Sequence, residues 1–287
     1  FQNIFLFIYV IILGKTIILD AHGSLPRHSG IKIFKKILFD FILGKWFLKK
    51  TDLFIAENEM SLQECLDYGA PKNKIIIVRP PFPVNDFDKK VDKNYINSFK
   101  NNINNKVVLF FGRLHKIKGI DLIIKGFKEL YNLREDVELF IMGGDEGELD
   151  YLQKLCADLN VKENVKFLGY MDGDKKLSII KNSNMCVQSS RYEQGAGAPF
   201  ESVLCETPIL VSDNSGCALD VERIDAGYLF EFNNHIDFSK KANFILNNKT
   251  IAKNKTIKAK KRIQDQLSFE KNVKNYKKAY ELAIENK

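Results

Sequence analysis

The alternation of short apolar segments with longer segments of helical periodicity constrains the fold of this chain more than any other feature of its sequence. Segments such as 107-VVLFF-111 and 74-KIIIV-78 are continuously apolar and rich in β-branched or aromatic residues. Such a composition is typical of parallel strands that are covered on both faces of a sheet. Because a helical pattern follows most of these segments, the sequence predicts repeated βαβ units and an α/β fold.

The predicted strands lie at 16–20, 53–56, 75–78, 107–111, 137–142, 165–168, 185–188, 208–212 and 227–230. The predicted helices lie at 31–50, 61–68, 120–133, 148–159, 175–182, 200–205 and 268–285. A further apolar segment, residues 4–13, is shorter than the roughly 20 residues that span a bilayer and has no signal-peptide pattern. It predicts a buried helix.

Two segments divide these elements into two groups. The segment 79-RPPFP-83 stops regular structure, and 101-NNINNK-106 is poor in apolar residues. Six strands are predicted from residue 107 onward, whereas the three before the break are fewer than the roughly 5–6 strands of an ordinary sheet. We therefore expect a C-terminal domain over residues 101–265 and an N-terminal domain over residues 1–100 that is incomplete in this chain.

Composition favours a globular protein with reduced thiols. Hydrophobic residues make up 45% and charged residues 28% of the chain, which excludes a disordered chain. The five cysteines include no Cys-x-x-Cys pair, so we expect buried thiols in a cytosolic setting rather than disulfides or a zinc site.

The net charge of +8 is concentrated in the first fifty residues, which carry eight Lys or Arg and two Asp. Such a patch can attract nucleic acid, anionic lipid or a phosphorylated substrate, and a solvated lysine-rich surface explains it equally well.

The loop after the strand at 107–111 has the chemistry of a phosphate site. Gly112 and Arg113 follow the strand directly, and Lys118-Gly119 stands where a helix is predicted to begin. Ligands of open α/β sheets bind beyond the carboxyl ends of the strands, and cations together with a helix N-terminus attract phosphate there. A βα turn with surface cations explains the same residues, and the GxxxxGK[ST] pattern of a Walker A loop is absent.

The stretch 191-RYEQGAGAPFES-202 begins like a dinucleotide-binding fingerprint. Phe200 occupies the third glycine position, and no acidic residue follows at the spacing of a ribose clamp. The stronger signal is a pair of glutamates, Glu193 in a loop and Glu201 in the first turn of the next helix. Two carboxylates around an amide-rich turn can bind hydroxyl groups on either side of an anion, although one loop glutamate and one helix-capping glutamate are the simpler interpretation.

Three other loops follow predicted strands in the same way: 139-LFIMGGDEGE-148, 164-NVKFLGYMDGDKK-176 and 207-TPILVSDNSG-216. The glycines and polar residues of each loop, taken alone, are explained by an ordinary turn between a strand and a helix. Together with the two loops above, they offer groups that complement a sugar, a diphosphate and a nucleoside.

This array resembles the donor-binding domain of the retaining glycosyltransferases of family 4, which have the GT-B fold. The motifs that carry the resemblance are GR(x4)KG at 112–119, E(x7)E at 193–201 and the three loops just named, and the likeness extends from about His22 to the C-terminus. It implies two Rossmann-type domains facing a cleft, with a final helix over residues 266–287 that packs back on the N-terminal lobe. It also implies a UDP-, GDP- or ADP-sugar donor, a glycan or lipid-linked acceptor, retention at the anomeric carbon, and no metal or other cofactor.

The resemblance also assigns roles to individual residues. Arg113 and Lys118 would bind the donor diphosphate and stabilise the leaving group, where charge builds in the transition state. Glu193 would contact the transferred sugar at the reacting centre, Glu201 would hold the ribose hydroxyls, and His22 would face the donor across the cleft. Further donor contacts are implied for Gly112, Leu168, Tyr170, Gly195, Gly197 and Ala198.

Two departures from the family pattern stand out. The family's first strand and its glycine-rich loop have no counterpart here, which puts acceptor binding in question. Glu206 replaces the glycine that usually ends the helix after the E(x7)E motif. Because glycine tolerates a positive φ better than glutamate does, we expect a local conformational cost there.

The basic, aromatic segment 31-IKIFKKILFDFILGKWFLKK-50 predicts a core helix with charged edges. The alternative is peripheral contact with an anionic membrane that holds a lipid-linked acceptor. We expect a cytoplasmic protein, at the inner face of the membrane under that alternative, and no nucleic-acid partner.

Two other functions are weighed against the transferase. A non-catalytic fragment that binds a nucleotide sugar fits an intact donor domain beside a partial acceptor domain. An NAD-linked oxidoreductase is disfavoured by the missing third glycine and the missing ribose acid.

Overall fold

The computed structural model describes residues 2–20, 22, 44–195 and 197–285. The strands are β1 (Ile18–Asp20), β2 (Leu53–Ala56), β3 (Ile75–Ile77), β4 (Lys106–Phe111), β5 (Val137–Met142), β6 (Val165–Gly169), β7 (Met185–Gln188), β8 (Ile209–Ser212) and β9 (Tyr228–Phe230). The helices are α1 (Gln2–Ile12), α2 (Lys45–Lys50), α3 (Glu59–Asp67), α4 (Ile120–Leu133), α5 (Leu149–Asp158), α6 (Gly173–Asn182), α7 (Gly197–Leu204), α8 (Gly216–Arg223), α9 (His235–Asn247), α10 (Lys249–Leu267) and α11 (Phe269–Glu285). Short 3-10 helices lie at Lys72–Lys74, Val84–Phe87, Tyr95–Phe99, Lys116–Lys118 and Lys162–Asn164.

Residue contacts divide the chain into two compact units. The first comprises Phe1–Phe82 with Leu267–Lys287, and the second is Pro83–Gln266. The sequence predicts the first boundary at residue 100, later than the contacts place it. The difference arises because the 3-10 helix Tyr95–Phe99 packs on α6 of the second unit.

The first unit contains a parallel sheet in the order β1-β2-β3. Its central strand β2 is buried along its whole length. Leu53 and Ile55 of this strand form one apolar cluster with Val78 and with Ala279 and Ala283 of α11. The two alanines let the helix approach the sheet closely.

The second unit contains a six-stranded parallel sheet in the order β6-β5-β4-β7-β8-β9. Strands β4, β5, β7 and β8 are almost entirely buried, which is why their sequences are continuously apolar. The central α4 buries Ile123, Ile124 and Phe127 completely. This doubly wound arrangement is the α/β fold that the alternation of apolar segments predicts.

All nine predicted strands are present, with bounds within two residues of those expected. The helices α9 and α10 were not predicted, and α10 shows why. Its buried positions are Ala252, Thr256, Ala259, Ile263 and Leu267, which follow helical spacing, but the first three of them are small residues. A stripe of small residues among many lysines gives little hydrophobic periodicity.

The expectation for residues 4–13 is half wrong. They form α1 as predicted, but the helix is not buried, since Phe5 and Ile12 are each 74% exposed. Among the described residues its packing is on one side, where the ring of Phe7 stacks on that of Phe47 at 3.8 Å between centroids and meets Trp46 edge-on.

Most of the basic segment predicted as a helix at 31–50 lies outside the described residues, which include only 44–50 of it. Its contact with a membrane therefore stays a prediction. Within the described chain, no helix combines the length and the apolar character needed to cross a bilayer.

The contact of α4 with α9 depends on the absence of a side chain at Gly126. A Cβ atom there would lie 2.5 Å from Cδ1 and 2.6 Å from Cγ of Phe238, and the Phe238 ring is fully buried. We therefore expect Gly126→Val to lower the free energy of unfolding by about 1–3 kcal/mol through overpacking, as measured by urea denaturation. The matched control is Gly144→Val, since a Cβ at Gly144 meets nothing within 4 Å. Equal stability of the two variants would contradict this account.

Candidate functional site

The six-stranded sheet changes winding direction between β4 and β7. From β4 the chain proceeds outward through β5 and β6, and from β7 it proceeds outward on the other side through β8 and β9. Ligands of open α/β sheets bind in the crevice beyond the carboxyl ends of the strands at such a point. The two loops that border it are residues 112–119 after β4 and residues 189–195 after β7, which carry Gly112, Arg113, Lys118, Glu193 and Gly195 of the predicted site.

Backbone contacts made possible by glycine hold the loops of this edge together. Gly119 has φ of 63°, and a Cβ there would lie 1.9 Å from the carbonyl oxygen of Ser189. A Cβ at Gly143 would lie 1.7 Å from the carbonyl oxygen of Gly112. Because backbone cannot give way as a flexible side chain can, both positions require glycine, and the loops after β4, β5 and β7 meet backbone to backbone.

Lys118 and Glu193 meet at the centre of this edge. Nζ of Lys118 donates a short hydrogen bond to Oε2 of Glu193, and the two side chains are 17% and 29% exposed. Ser190 Oγ also donates to Oε2 of Glu193, at 3.3 Å. The backbone carbonyl of Glu193 accepts from the N–H of Gly216 at 3.0 Å, so the loop after β8 fixes it too. The structure thus pairs two residues that the sequence analysis assigned to diphosphate and sugar.

Arg113 extends from the same loop towards the solvent. Its Nη1 lies 2.9 Å from Oε2 of Glu146, and its side chain is 62% exposed. An exposed ion pair of this kind contributes little to stability. The guanidinium can therefore exchange Glu146 for another anion at small cost.

Glu201 lies on α7 and is paired with a lysine that the sequence analysis did not single out. Oε2 of Glu201 lies 2.5 Å from Nζ of Lys176. The same Nζ lies 5.6 Å from the ring centroid of Phe111, the last residue of β4. Lys176 therefore brings the Glu201 carboxylate to the carboxyl end of β4, the strand whose loop carries Arg113 and Lys118.

The remaining predicted donor contacts lie at the same edge of the sheet. The carbonyl of Gly169, between Leu168 and Tyr170, accepts from the N–H of Gly143 at 2.9 Å, which joins the loops after β5 and β6. Tyr170 is 74% exposed. Gly197 and Ala198 form the first turn of α7. Gly195 precedes them, and the intervening residue 196 lies outside the described chain.

His22 belongs to the other compact unit. Its Nδ1 makes a short contact with Oε1 of Glu57, and its Nε2 lies 3.4 Å from Oδ2 of Asp20. Among the described residues, this trio alone places three metal-ligand atoms within 4.8 Å of one another. Burial raises the pKa of Asp20 even though the adjacent imidazole lowers it. The role of His22 towards a donor stays a prediction from the resemblance.

The sequence analysis missed a bidentate clamp between the two central loops. Nη1 and Nη2 of Arg191 donate to the two carboxylate oxygens of Asp121 at 2.8 and 2.7 Å. Arg191 also donates to the carbonyls of Lys116 and Ile117 at 2.8 and 2.7 Å. Arg191 thereby ties the loop of Glu193 to the loop of Lys118. Arg191 stands two residues before Glu193, and this proximity could have marked it as a site residue. Nothing in the sequence identified Asp121 as its partner.

Two buried oxygens beside the crevice keep hydrogen-bonding capacity. Gln188, the last residue of β7, donates through Nε2 to the carbonyl of Phe111 at 3.3 Å. Its Oε1 and the Oγ of Ser189 are buried and accept no hydrogen bond from the described residues. Buried polar atoms ordinarily have partners, so this end of β7 is suited to a polar ligand.

All five cysteines are buried and unpaired, as predicted. Burial raises the pKa of the Cys217 thiol well above its ordinary value, although Lys118 acts in the opposite direction. A buried, protonated thiol is a poor nucleophile. The chemistry of the site therefore rests on its carboxylates and cations.

The second unit is a doubly wound α/β domain with cations and carboxylates at its switch point. The model of one family, Glycosyl transferases group 1, matches residues 92–263, which is more than half of the chain. The chain therefore belongs to this family of transferase enzymes. Membership of the narrower family 4 stays a prediction.

Two relatives illustrate the match in sequence. A glycosyltransferase of Methanocaldococcus jannaschii is 27% identical over 94% of this chain and 69% of its own length. The mannosylfructose-phosphate synthase of Agrobacterium fabrum is 29% identical over 58% of this chain and 39% of its own length. The chain thus spans about two thirds of the first relative and well under half of the second.

A solved structure confirms the fold. The Anabaena HepE protein in complex with UDP and glucose superposes with a TM-score of 0.81 at 17% identity, covering 96% of this chain and 74% of HepE. At that identity the likeness shows the fold alone, which is α/β of the GT-B type as predicted.

We expect Asp121→Asn to loosen the clamp, because it leaves the partly buried Arg191 without its carboxylate. The loss in free energy of unfolding at pH 7 should be about 1–3 kcal/mol, measured by urea denaturation. Burial alone would raise the pKa of Asp121, but the hydrogen bonds and charge of Arg191 lower it below its ordinary value. The clamp's contribution is therefore fully present above the unfolded pKa of about 3.9 and disappears as the pH falls through the lower folded pKa.

Asp174→Asn serves as the control, because Asp174 also lies in the first turn of a helix and is exposed. It should lose only about 0.3–1 kcal/mol of helix-dipole stabilisation. If the two variants unfold alike at pH 7, or if the deficit of Asp121→Asn shrinks between pH 8 and pH 5, the clamp does not act as described.

Proposed function

We propose that this protein transfers a sugar from a nucleoside diphosphate sugar to a hydroxyl of a glycan or lipid-linked acceptor, with retention at the anomeric carbon. The observation that carries the proposal is the pairing of Lys118 with Glu193 at the switch point of the six-stranded sheet. A cation and a carboxylate held side by side match a diphosphate next to a sugar hydroxyl group.

Arg113 and Lys118 are the cations for the diphosphate. Both lie in the loop after β4, and Lys118 precedes the left-handed Gly119 at the N-terminus of α4. Negative charge grows on the diphosphate oxygen as its bond to the anomeric carbon breaks, so fixed cations there stabilise the transition state more than the ground state. Two protein cations can serve this purpose without a metal ion, and we propose that none is required.

Glu193 and Glu201 are the carboxylates for hydroxyl groups. Each is ion-paired with a lysine, Glu193 with Lys118 and Glu201 with Lys176. When the diphosphate takes up Lys118, the Glu193 carboxylate becomes free to accept from the transferred sugar. We propose that Glu201, on the helix that follows, binds the ribose hydroxyls, as the resemblance implies.

Retention requires that the acceptor oxygen bond to the anomeric carbon on the face that the diphosphate leaves. The proton of the acceptor hydroxyl then passes to the departing diphosphate oxygen, which balances the transfer. Electrostatic stabilisation of that oxygen by Arg113 and Lys118 is the protein's contribution to this step.

The comparisons support the donor class. HepE has been crystallised with UDP and glucose, and the name of the Agrobacterium relative describes a mannosyl product. The UDP complex supports a UDP-sugar as the first donor to test here, with GDP- and ADP-sugars tested beside it.

The donor site predicts the behaviour of three single variants. Arg113→Ala, Lys118→Ala and Glu201→Ala should each weaken binding of the preferred sugar nucleotide more than tenfold, because each removes a charge that faces the ligand. The measurement is the thermal shift of the protein with UDP-, GDP- and ADP-sugars, since a ligand that binds only the folded state raises its stability.

Lys154→Ala and Glu163→Ala are matched controls, because both side chains are exposed and lie away from the switch-point loops. They should retain the shift of the unchanged protein. If all three site variants retain it as well, the donor site is assigned wrongly. Binding of a donor without any transfer to acceptors would favour the non-catalytic alternative.

Retention predicts the configuration of the product. With a sugar nucleotide whose anomeric bond is α, the new glycosidic bond should also be α. The configuration of the new bond is measured from the coupling constant of the anomeric proton in the first product formed. A β product from an α donor would rule out a retaining mechanism while leaving the donor site untouched.

A further inference from the structure

A lysine-rich cavity of about 610 Å³ lies in the second unit, away from the switch-point loops. Its lining includes the lysines 89, 90, 93, 181, 253 and 260 and two carboxylates, Asp88 and Glu206. Phe87, Val91 and Leu204 add apolar surface. The volume falls within the range of about 300–1,000 Å³ that small-molecule sites occupy.

This cavity lies at the amino-terminal edge of the parallel sheet. Asn182 precedes β7 and Glu206 precedes β8, whereas the loops of the donor site follow these strands. Each of the two strands has four residues, which corresponds to about 13 Å. The cavity and the donor site are thus at opposite ends of the same strands.

The lysine segment 89–93 is fixed to α6 by its backbone. The carbonyl of Asp92 accepts a short hydrogen bond from Ser178 Oγ, and the carbonyl of Lys89 accepts one from Nζ of Lys181. These contacts hold the lysines at the rim of the cavity instead of leaving them on a free loop.

The carboxylates of the cavity are already engaged by two of the lysines. Lys260 Nζ lies 2.8 Å from Oδ1 of Asp88 and 3.2 Å from Oε1 of Glu206. Lys253 Nζ lies 3.0 Å from Oε2 of Glu206. The ammonium groups of Lys89, Lys90, Lys93 and Lys181 have no carboxylate partner among the described residues, and their excess positive charge favours a polyvalent anion.

Glu206 has a backbone that an L-residue rarely adopts. Its φ is 60°, the conformation that the sequence analysis anticipated when it noted glutamate in a glycine position. Burial alone would raise the pKa of its carboxyl, but hydrogen bonds from Lys253 and Lys260 lower it. The glutamate therefore holds these two lysines in place, and since Lys181 is hydrogen-bonded to the carbonyl of Lys89, the ammonium groups of Lys89, Lys90 and Lys93 are left for a ligand.

We propose that this cavity is a second ligand site, which binds a small anion with several phosphate groups. Lysines are suited to this chemistry because each offers a compact charge with three donors. The site is separate from the proposed donor site and does not depend on it. Several phosphates occur together in free polyphosphorylated compounds and in neighbouring headgroups on an anionic lipid surface, and the experiment separates these sources.

Inorganic triphosphate is the probe, and isothermal titration calorimetry is the measurement. The test variant is Lys89→Gln/Lys90→Gln/Lys93→Gln, in which all three side chains are exposed, so that folding is retained. We expect its dissociation constant for triphosphate to rise at least tenfold, with the thermal shift by the preferred sugar nucleotide unchanged.

Two further variants make the result specific. Lys154→Gln/Lys240→Gln/Lys241→Gln removes the same charge from exposed lysines that do not line the cavity, and it should bind triphosphate like the unchanged protein. Arg113→Ala/Lys118→Ala removes the donor site and should retain triphosphate binding at the cavity. Binding that depends on Arg113 and Lys118 but not on the cavity lysines would overturn the proposal, as would an equal loss in the control variant.

Vesicles distinguish the sources of phosphate. Sedimentation with phosphatidylglycerol vesicles, against neutral phosphatidylcholine vesicles, tests the lipid headgroup with the same variants. Cavity-dependent binding to triphosphate alone identifies a free ligand, and cavity-dependent binding to anionic vesicles alone identifies a headgroup. If neither probe binds in a manner that depends on Lys89, Lys90 and Lys93, the cavity is not a phosphate site.

Discussion

The donor-side edge of this molecule depends on one close backbone approach, that of Gly119 to the carbonyl oxygen of Ser189. A side chain at position 119 would place its Cβ 1.9 Å from that oxygen, so the loops after β4 and β7 can meet only if the residue is glycine. Because these are the two strands between which the sheet changes winding direction, the contact determines the width of the crevice. Lys118 precedes this glycine, and Glu193 follows Ser189 within the same loop, so their pairing is a consequence of the approach.

Charged groups then fix what the backbone has brought together. The Arg191–Asp121 clamp joins the same two loops through side chains, with two hydrogen bonds of 2.7 to 2.8 Å between planar groups. Such bidentate pairs are stronger and more directional than single ion pairs. The clamp ends on Asp121 of α4 and uses the side chain of neither Lys118 nor Glu193, so it can hold the loops while those two residues exchange partners with a ligand. A binding site requires that the residues which contact the ligand are held in position by other, permanent contacts.

The strands were predictable from the sequence because burial on both faces leaves a continuous apolar segment, as in β4 and β5. Helix α10 was not, since its buried stripe is largely Ala and Thr. Within the site, spacing after strands indicated Arg113, Lys118 and Glu193. It could not indicate Asp121 or Lys176, whose partners Arg191 and Glu201 are distant in sequence. The exposure of α1 was also not predictable from the sequence. Apolar composition indicates that a helix favours burial, but it does not indicate which part of the protein covers it.

The two ends of the six-stranded sheet differ in how they balance charge. At the carboxyl end, cations and carboxylates are paired one to one, Lys118 with Glu193, Lys176 with Glu201 and Arg113 with Glu146, so a ligand with both a diphosphate and hydroxyl groups can replace each partner in kind. At the amino end, lysines outnumber carboxylates six to two around one cavity, and only an anion can redress that excess. The two ends share β7 and β8, and they also share helix α6, which carries Lys176 and Lys181, and helix α7, which carries Glu201 and Leu204. A ligand-induced shift in any of these shared elements is therefore a direct structural route for coupling between the ends.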